Sequence, residues 1–94
     1  MAVSRADRRK QRTAAVIDVF GAERSGVALD LLEIVELAWH DCYQEITPDP
    51  SIIEDILLLS DGRLDRLIAA ARLAVTDWRD LKVAATGRRA GTQL

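Results

Sequence analysis

The sequence has few of the residues from which metal and disulfide sites are built. Its 94 residues include one cysteine, one histidine, two prolines and five glycines, and only 4% are aromatic. One cysteine cannot form an internal disulfide, and one cysteine with one histidine does not complete the four ligands of a structural zinc site. We therefore expect no metal and no other cofactor.

Long apolar segments are also missing. No run approaches the roughly 20 apolar residues of a membrane-spanning helix, and the charged N-terminus lacks the apolar stretch of a secretory signal. These absences predict a soluble cytoplasmic protein with no membrane partner. The composition, with eleven arginines against two lysines and fourteen alanines, is typical of a GC-rich bacterial genome, so we expect a bacterial origin.

Motifs for catalysis are absent as well. The glycines form neither a dinucleotide-binding nor a phosphate-binding loop, and no Gly-x-Ser-x-Gly nucleophile motif occurs. The histidine and the cysteine lie close together in Trp39-His40-Asp41-Cys42-Tyr43. On a helix Cys42 projects about 200° away from His40, which excludes a nucleophile paired with its base.

We therefore expect no enzyme. Cys42 is predicted to lie in the core, as free cysteines commonly do. His40 is predicted at the surface, four residues after Glu36, a spacing that favours an ion pair. A catalytic pair of carboxylates that meet only in three dimensions stays open, because any two of the fifteen acids could come together.

The residues that are present predict helices. Apolar residues are 49% of the chain and charged residues 30%, which is sufficient for a core. Between turn signals the apolar residues recur every three or four positions, and no stretch alternates as a strand does. The sequence therefore predicts an all-α bundle of three longer helices and one short helix. The predicted helices are Asp7–Phe20, Val27–Ile46, Pro50–Ser60 and Gly62–Ala85.

Two tryptophans lie on the apolar stripes of the longest predicted helices. Trp39 belongs to the stripe of Val27–Ile46, and Trp78 to that of Gly62–Ala85. Because aromatic side chains bury large areas in cores, we expect both indoles to pack inside the bundle.

Charge is distributed unevenly along the chain. Residues 1–12, 13–62 and 63–94 carry net charges of +4, −10 and +4. We predict a mobile basic arm at 1–12, one helical domain at 13–85, and a mobile tail at 86–94.

The basic arm has three interpretations. It can be a solubilising terminus, it can pair with the acidic segment that follows it, or it can contact the phosphates of a nucleic acid. No aromatic residue accompanies the arm for base stacking, and the acidic segment would repel a polyanion. The cations of the arm are Arg5, Arg8, Arg9, Lys10 and Arg12.

Three aliphatic residues, Ile34, Leu37 and Leu73, fall outside the main apolar stripes. Surplus apolar residues can contribute to a dimer interface, although single exposed leucines are common. Our hypothesis is a non-enzymatic helical protein–protein interaction module that binds itself as a homodimer or binds another protein. The alternative is a small nucleic-acid-associated or regulatory protein that uses the basic arm.

Overall fold

The computed structural model describes residues 4–92, which form five helices and no strand. Helices make up 86% of the structure, so the all-α prediction is confirmed. The radius of gyration is 12.8 Å, close to the ~12 Å of a compact chain of this length. The helices are α1 (Arg5–Phe20), α2 (Ala22–Tyr43), α3 (Pro50–Ser60), α4 (Leu64–Thr76) and α5 (Trp78–Thr92).

Residues 5–12 of the predicted arm form the first half of α1, and their mobility stays a prediction. Ser4 and Asp7 close a capping box there: the Ser4 hydroxyl accepts the Asp7 N–H at 3.2 Å, and the Asp7 carboxylate accepts the Ser4 N–H at 3.4 Å. Such a box satisfies backbone donors that a helix start otherwise leaves open. Residues 1–3 of the predicted arm lie outside the described residues.

The prediction of one continuous helix over Gly62–Ala85 is wrong, because the chain leaves the helical conformation at Asp77. The backbone of Asp77 is extended, with φ −158° and ψ 102°. Its carboxylate accepts the N–H of Arg79 at 3.0 Å, as the first residue before a helix commonly does. The chain therefore makes two helices, α4 and α5, where one continuous period predicts a single helix.

The interruption at Asp77 changes which of the following residues are buried. Trp78 begins α5 and is 41% exposed, so its predicted core position is wrong. Leu81 and Ala85 are the α5 residues that become buried. Residues 86–92 of the predicted tail continue α5, and their mobility stays a prediction; residues 93–94 lie outside the described residues.

The second and third helices are closer to prediction. α2 begins at Ala22 rather than Val27, and it ends at Tyr43 because Gln44 adopts a left-handed conformation with φ +61°. α3 has the predicted bounds, with Asp49 accepting the Ser51 N–H at 2.9 Å ahead of the proline that opens the helix. The left-handed Gln44 thus accounts for the end of α2, and the Asp49 cap with the proline accounts for the start of α3.

The helices pack as two groups that share one core. α1 pairs with α2, α3 packs against α4 and α5, and α2 contacts α4. Trp39 is buried as predicted, with its ring 4.4 Å from that of Tyr43. The Tyr43 hydroxyl donates to the carbonyl of Ala74 at 2.9 Å, so the C-terminal ends of α2 and α4 lie together. The core includes Val16, Phe20, Leu32, Val35, Ile52, Ile53, Ile56 and Leu67.

Candidate interaction face

The predicted basic residues of α1 bind a buried carboxylate on α2. Glu36 is 2% exposed and accepts two hydrogen bonds from Arg8, at 2.7 Å from Nε and 3.0 Å from Nη2. Nη1 of Arg12 lies 2.7 Å from the same carboxylate, and the Thr47 hydroxyl donates to it at 3.1 Å. This cluster joins α1, α2 and the loop before α3 through one negative charge.

The cluster keeps Glu36 ionised. Burial raises the pKa of its carboxyl, but the hydrogen bond from Arg8, the charge of Arg12 and the hydrogen bond from Thr47 together hold that pKa below the ordinary 4.5. A buried carboxylate with two arginine partners is stabilised in its charged form. At neutral pH it therefore holds helices together and is not poised to exchange a proton.

Another cation of the predicted arm also binds α2. Arg9 lies 2.7 Å from Asp30 and 3.0 Å from Glu33, and these two hydrogen bonds raise the pKa of its guanidinium. Arg5 and Lys10 are exposed. The structure thus brings three of the five predicted cations onto acidic residues of α2, the second of the three interpretations of the arm.

A second buried carboxylate holds α5 in place. Asp55 of α3 is 1% exposed, with Lys82 Nζ at 2.7 Å and Arg89 Nη2 at 2.8 Å. Arg88 contacts Asp61 at 2.6 Å at the end of α3. These ion pairs join α5 to α3 beside the apolar contacts of Leu81 and Ala85, the α5 residues that are buried.

The histidine and the cysteine are both at the surface. Cys42 is exposed, so its predicted place in the core is wrong. His40 is exposed as predicted, but its nearest carboxylate is that of Asp41, at 3.9 Å. The expected pair with Glu36 is wrong, because Arg8 and Arg12 occupy that carboxylate.

Neither a metal-ligating cluster nor a membrane-spanning helix occurs in the part of the chain that the structure describes. Within residues 4–92, no three His, Cys, Asp or Glu side chains are grouped so that they could hold a metal ion. Over the same range, no helix combines the length and the apolar character that crossing a membrane requires.

An uncovered apolar surface lies along α2 and α4. Four aliphatic side chains, Val27, Ile34 and Leu37 of α2 and Ile68 of α4, are between 46% and 59% exposed. We call these four residues the interaction face. Ile34 and Ile68 meet at a groove of about 160 Å³ between the two helices. The groove is lined by Leu31, Ile34, Val35, Ala38, Ile68, Ala71, Arg72 and Val75.

The predicted interface residues only partly agree with this surface. Ile34 and Leu37 belong to the interaction face. Leu73 does not, because it is half-buried on another side of α4, beside Leu59 and Ala70. Val27 and Ile68 were not predicted. Val27 lies seven residues before Ile34, and Ile34 lies three before Leu37. These helical spacings could have identified Val27 from the sequence.

No protein-family model, curated protein or solved structure matches this chain. What the protein binds must therefore be inferred from its own surfaces. Among residues 4–92, eight large apolar side chains are exposed, and half of these form the interaction face. Of the four, Ile34 and Ile68 line the groove between α2 and α4, and Leu37 lines a separate depression beside α1.

Proposed function

We propose that the protein is a non-enzymatic helical interaction module that forms a homodimer through the interaction face. The observation that carries the proposal is the presence of four exposed aliphatic side chains on α2 and α4, two of which, Ile34 and Ile68, line an apolar groove. Single apolar residues on a surface are ordinary, but a continuous apolar patch is characteristic of an interface. We place the module in the bacterial cytoplasm on its composition.

The size of the face indicates a weak dimer. Burying an exposed aliphatic side chain completely is worth about 1.5–3 kcal/mol, so each half-exposed residue contributes roughly 1 kcal/mol. Four residues from each of two copies contribute about 8 kcal/mol, which corresponds to a Kd near 1 μM before the cost of association is subtracted. Association costs about 4 kcal/mol or more, so about 4 kcal/mol remains, and we expect a Kd near 1 mM or weaker.

The contacts of the two buried carboxylates support a role without catalysis. Glu36 and Asp55 each accept contacts from two basic side chains. The pKa of Glu36 is lowered by its arginine partners, whereas a general acid or base needs a pKa near the working pH. Their role in the proposal is to hold helices together behind the interaction face.

The test is the oligomeric state in solution. Sedimentation velocity of the wild-type chain, up to roughly 1 mM, is expected to show a monomer–dimer equilibrium. Ile34→Asp places a charge in the interaction face and is expected to leave only monomer. Val83→Asp is the matched control, since Val83 is exposed on α5, away from the face; it is expected to dimerise normally.

Two results would overturn the proposal. One is a wild-type protein that stays monomeric at the highest concentration. The other is a dimer that Val83→Asp abolishes and Ile34→Asp leaves intact, because the contact would then lie on α5.

Nucleic-acid binding is the weaker candidate. Arg8, Arg9 and Arg12 direct their guanidinium groups to carboxylates of α2, which reduces the positive charge that α1 offers to phosphates. Exposed Arg5 and Lys10 are what favours this candidate. It predicts binding to duplex DNA that weakens steeply with salt, measured by fluorescence anisotropy.

A further inference from the structure

We infer that α1 exchanges between two copies of the chain, with Gly21 as the hinge, so that α1 of each copy packs on α2 of the other. This domain-swapped dimer is separate from the homodimer proposed above, because it reuses the contacts of α1 and not the interaction face. Its basis is the backbone of the single residue that joins the two helices and the contacts on either side of it.

The hinge is one residue long. α1 ends at Phe20 and α2 begins at Ala22, so Gly21 alone reverses the direction of the chain. Its φ of +83° and ψ of 161° lie in a region that is essentially restricted to glycine. Both helices are regular up to this residue: the Gly21 N–H donates to the Ile17 carbonyl at 2.8 Å, and the Gly21 carbonyl accepts the Ser25 N–H at 3.1 Å. A change in the backbone of Gly21 therefore opens the hairpin into one continuous helix.

The ion pairs between the two helices are centred on the hinge. Arg9 lies twelve residues before Gly21, and its partner Glu33 lies twelve residues after it. Arg8 lies thirteen residues before Gly21, and Glu36 lies fifteen after it. For all four ion pairs between α1 and α2, the midpoint of the two residues lies within three positions of Gly21. Two opened chains that lie antiparallel about a two-fold axis at Gly21 therefore bring the same partners together, and each pair forms twice.

The other contacts of α1 are equally available from a second copy. Two residues of α1, Val16 and Phe20, are buried in the core, and the Glu36 cluster binds Arg8 and Arg12. Every partner of these side chains is present in the second copy in the same arrangement. The swapped dimer therefore keeps the contacts of the monomer, and the two forms differ at the hinge and by the cost of association.

The route to the dimer is refolding at high concentration. In the folded chain, α1 leaves only when its buried side chains and the Glu36 cluster separate from their partners, so exchange between folded copies is slow. When concentrated chains refold together, α1 meets its own α2 and that of a neighbour at comparable rates. Protein folded in dilute solution keeps α1 on its own chain, so the sedimentation test of the interaction face is not affected.

A substitution at the hinge tests the exchange, with Ile34→Asp present in every sample to remove the interaction-face dimer. The Ile34→Asp parent, refolded from urea at about 1 mM, is expected to contain a minor dimer by size-exclusion chromatography with light scattering. Gly21→Ala puts a strained residue in the closed hinge and a better helix former in the open one. Because both effects act in each of two chains, half of this variant should be dimeric at a concentration about a hundredfold lower than the parent requires.

Two further variants act as controls. Gly26→Ala makes the same substitution inside α2, where nothing lies within 4 Å of a Cβ, and it should leave the dimer fraction of the parent unchanged. Insertion of Gly-Ser-Gly after Gly21 gives the chain a flexible loop for its reversal. This insertion should abolish the dimer and keep the helical circular dichroism at 222 nm.

Three results would overturn the exchange. They are a parent that refolds at the highest concentration without any dimer, a Gly21→Ala chain that folds but stays monomeric with a lower Tm, and a dimer that survives the insertion. If Gly21→Ala does not fold, the parent and the insertion variant decide. None of these results bears on the interaction face, which Ile34→Asp has blocked, and a failure of the interaction-face dimer leaves the exchange standing.

Discussion

Replacing Glu36 by glutamine is expected to be among the most destabilising polar substitutions in this protein. The change keeps the shape of the side chain but removes the charge that Arg8 and Arg12 share. Removing one partner from a buried ion pair costs about 3–5 kcal/mol, because the remaining charge has no counterion. Here the arginine side chains are 14% and 13% exposed, so water compensates in part, and we expect a loss of about 3 kcal/mol.

This loss is a large share of the total stability. A chain of this length has a free energy of unfolding of roughly 5–14 kcal/mol, and each kcal/mol shifts Tm by about 4–8 °C. Glu36→Gln should therefore lower Tm by roughly 12–24 °C. Urea and thermal unfolding followed by circular dichroism measure the free energy and Tm directly.

Glu33→Gln is the matched control on the same helix. The Glu33 side chain is 31% exposed and shares Arg9 with Asp30. Exposed ion pairs contribute about 0–1 kcal/mol, so the control should unfold close to wild type. If Glu36→Gln costs no more than Glu33→Gln, the buried cluster does not hold α1 to α2 and the reasoning is refuted.

Two further predictions concern acid unfolding and glycine positions. Folding lowers the pKa of Glu36 from 4.5, so the stabilisation by this carboxylate is complete above that value and is lost as pH falls through the lower folded pKa. In urea unfolding, the difference in free energy of unfolding between wild type and Glu36→Gln should shrink below about pH 4.5. A difference that grows in acid would contradict this. Gly62→Ala should cost about 1–3 kcal/mol, because Gly62 has φ +75° and a Cβ there would lie 2.8 Å from the carbonyl oxygen of Val19. Gly87→Ala should instead stabilise α5 by about 0.5–1 kcal/mol, since nothing lies within 4 Å of a Cβ there. Thermal unfolding compares the two alanine variants, and equal effects would show that the contact with Val19 is unimportant.

Features with a local physical cause were predictable from the sequence. The helical period of the apolar residues established the all-α class. α3 was predicted with its observed bounds, because the signals that start and stop it lie beside it in the chain. Trp39 is predicted in the core, and Ile34 and Leu37 are predicted outside the main apolar stripes. The spacing of the apolar residues along α2 defines both faces.

The packing of residues 5–12 against α2 depends on contacts between distant residues, which no local pattern reveals. Arg8 reaches a carboxylate 28 residues away, and charge counts alone left three interpretations of these cations. The ion pairs exist because α1 folds back along α2, which places a basic helix face on an acidic one. Burial then makes the pairing specific to Glu36, whereas the sequence offers eleven acids between residues 13 and 62.

The sequence by itself determined the helical class, the shortest helix and the apolar stripe around Trp39, because these follow from neighbouring residues and from the period of the α-helix. Only the tertiary structure decided where α4 ends and which tryptophan is buried. The period from Leu64 to Ala85 is the same whether or not the chain turns at Asp77. Packing α5 onto α3 buries Leu81 and Ala85 and supplies the partners of Asp55, and Trp78 is left partly in solvent as a result.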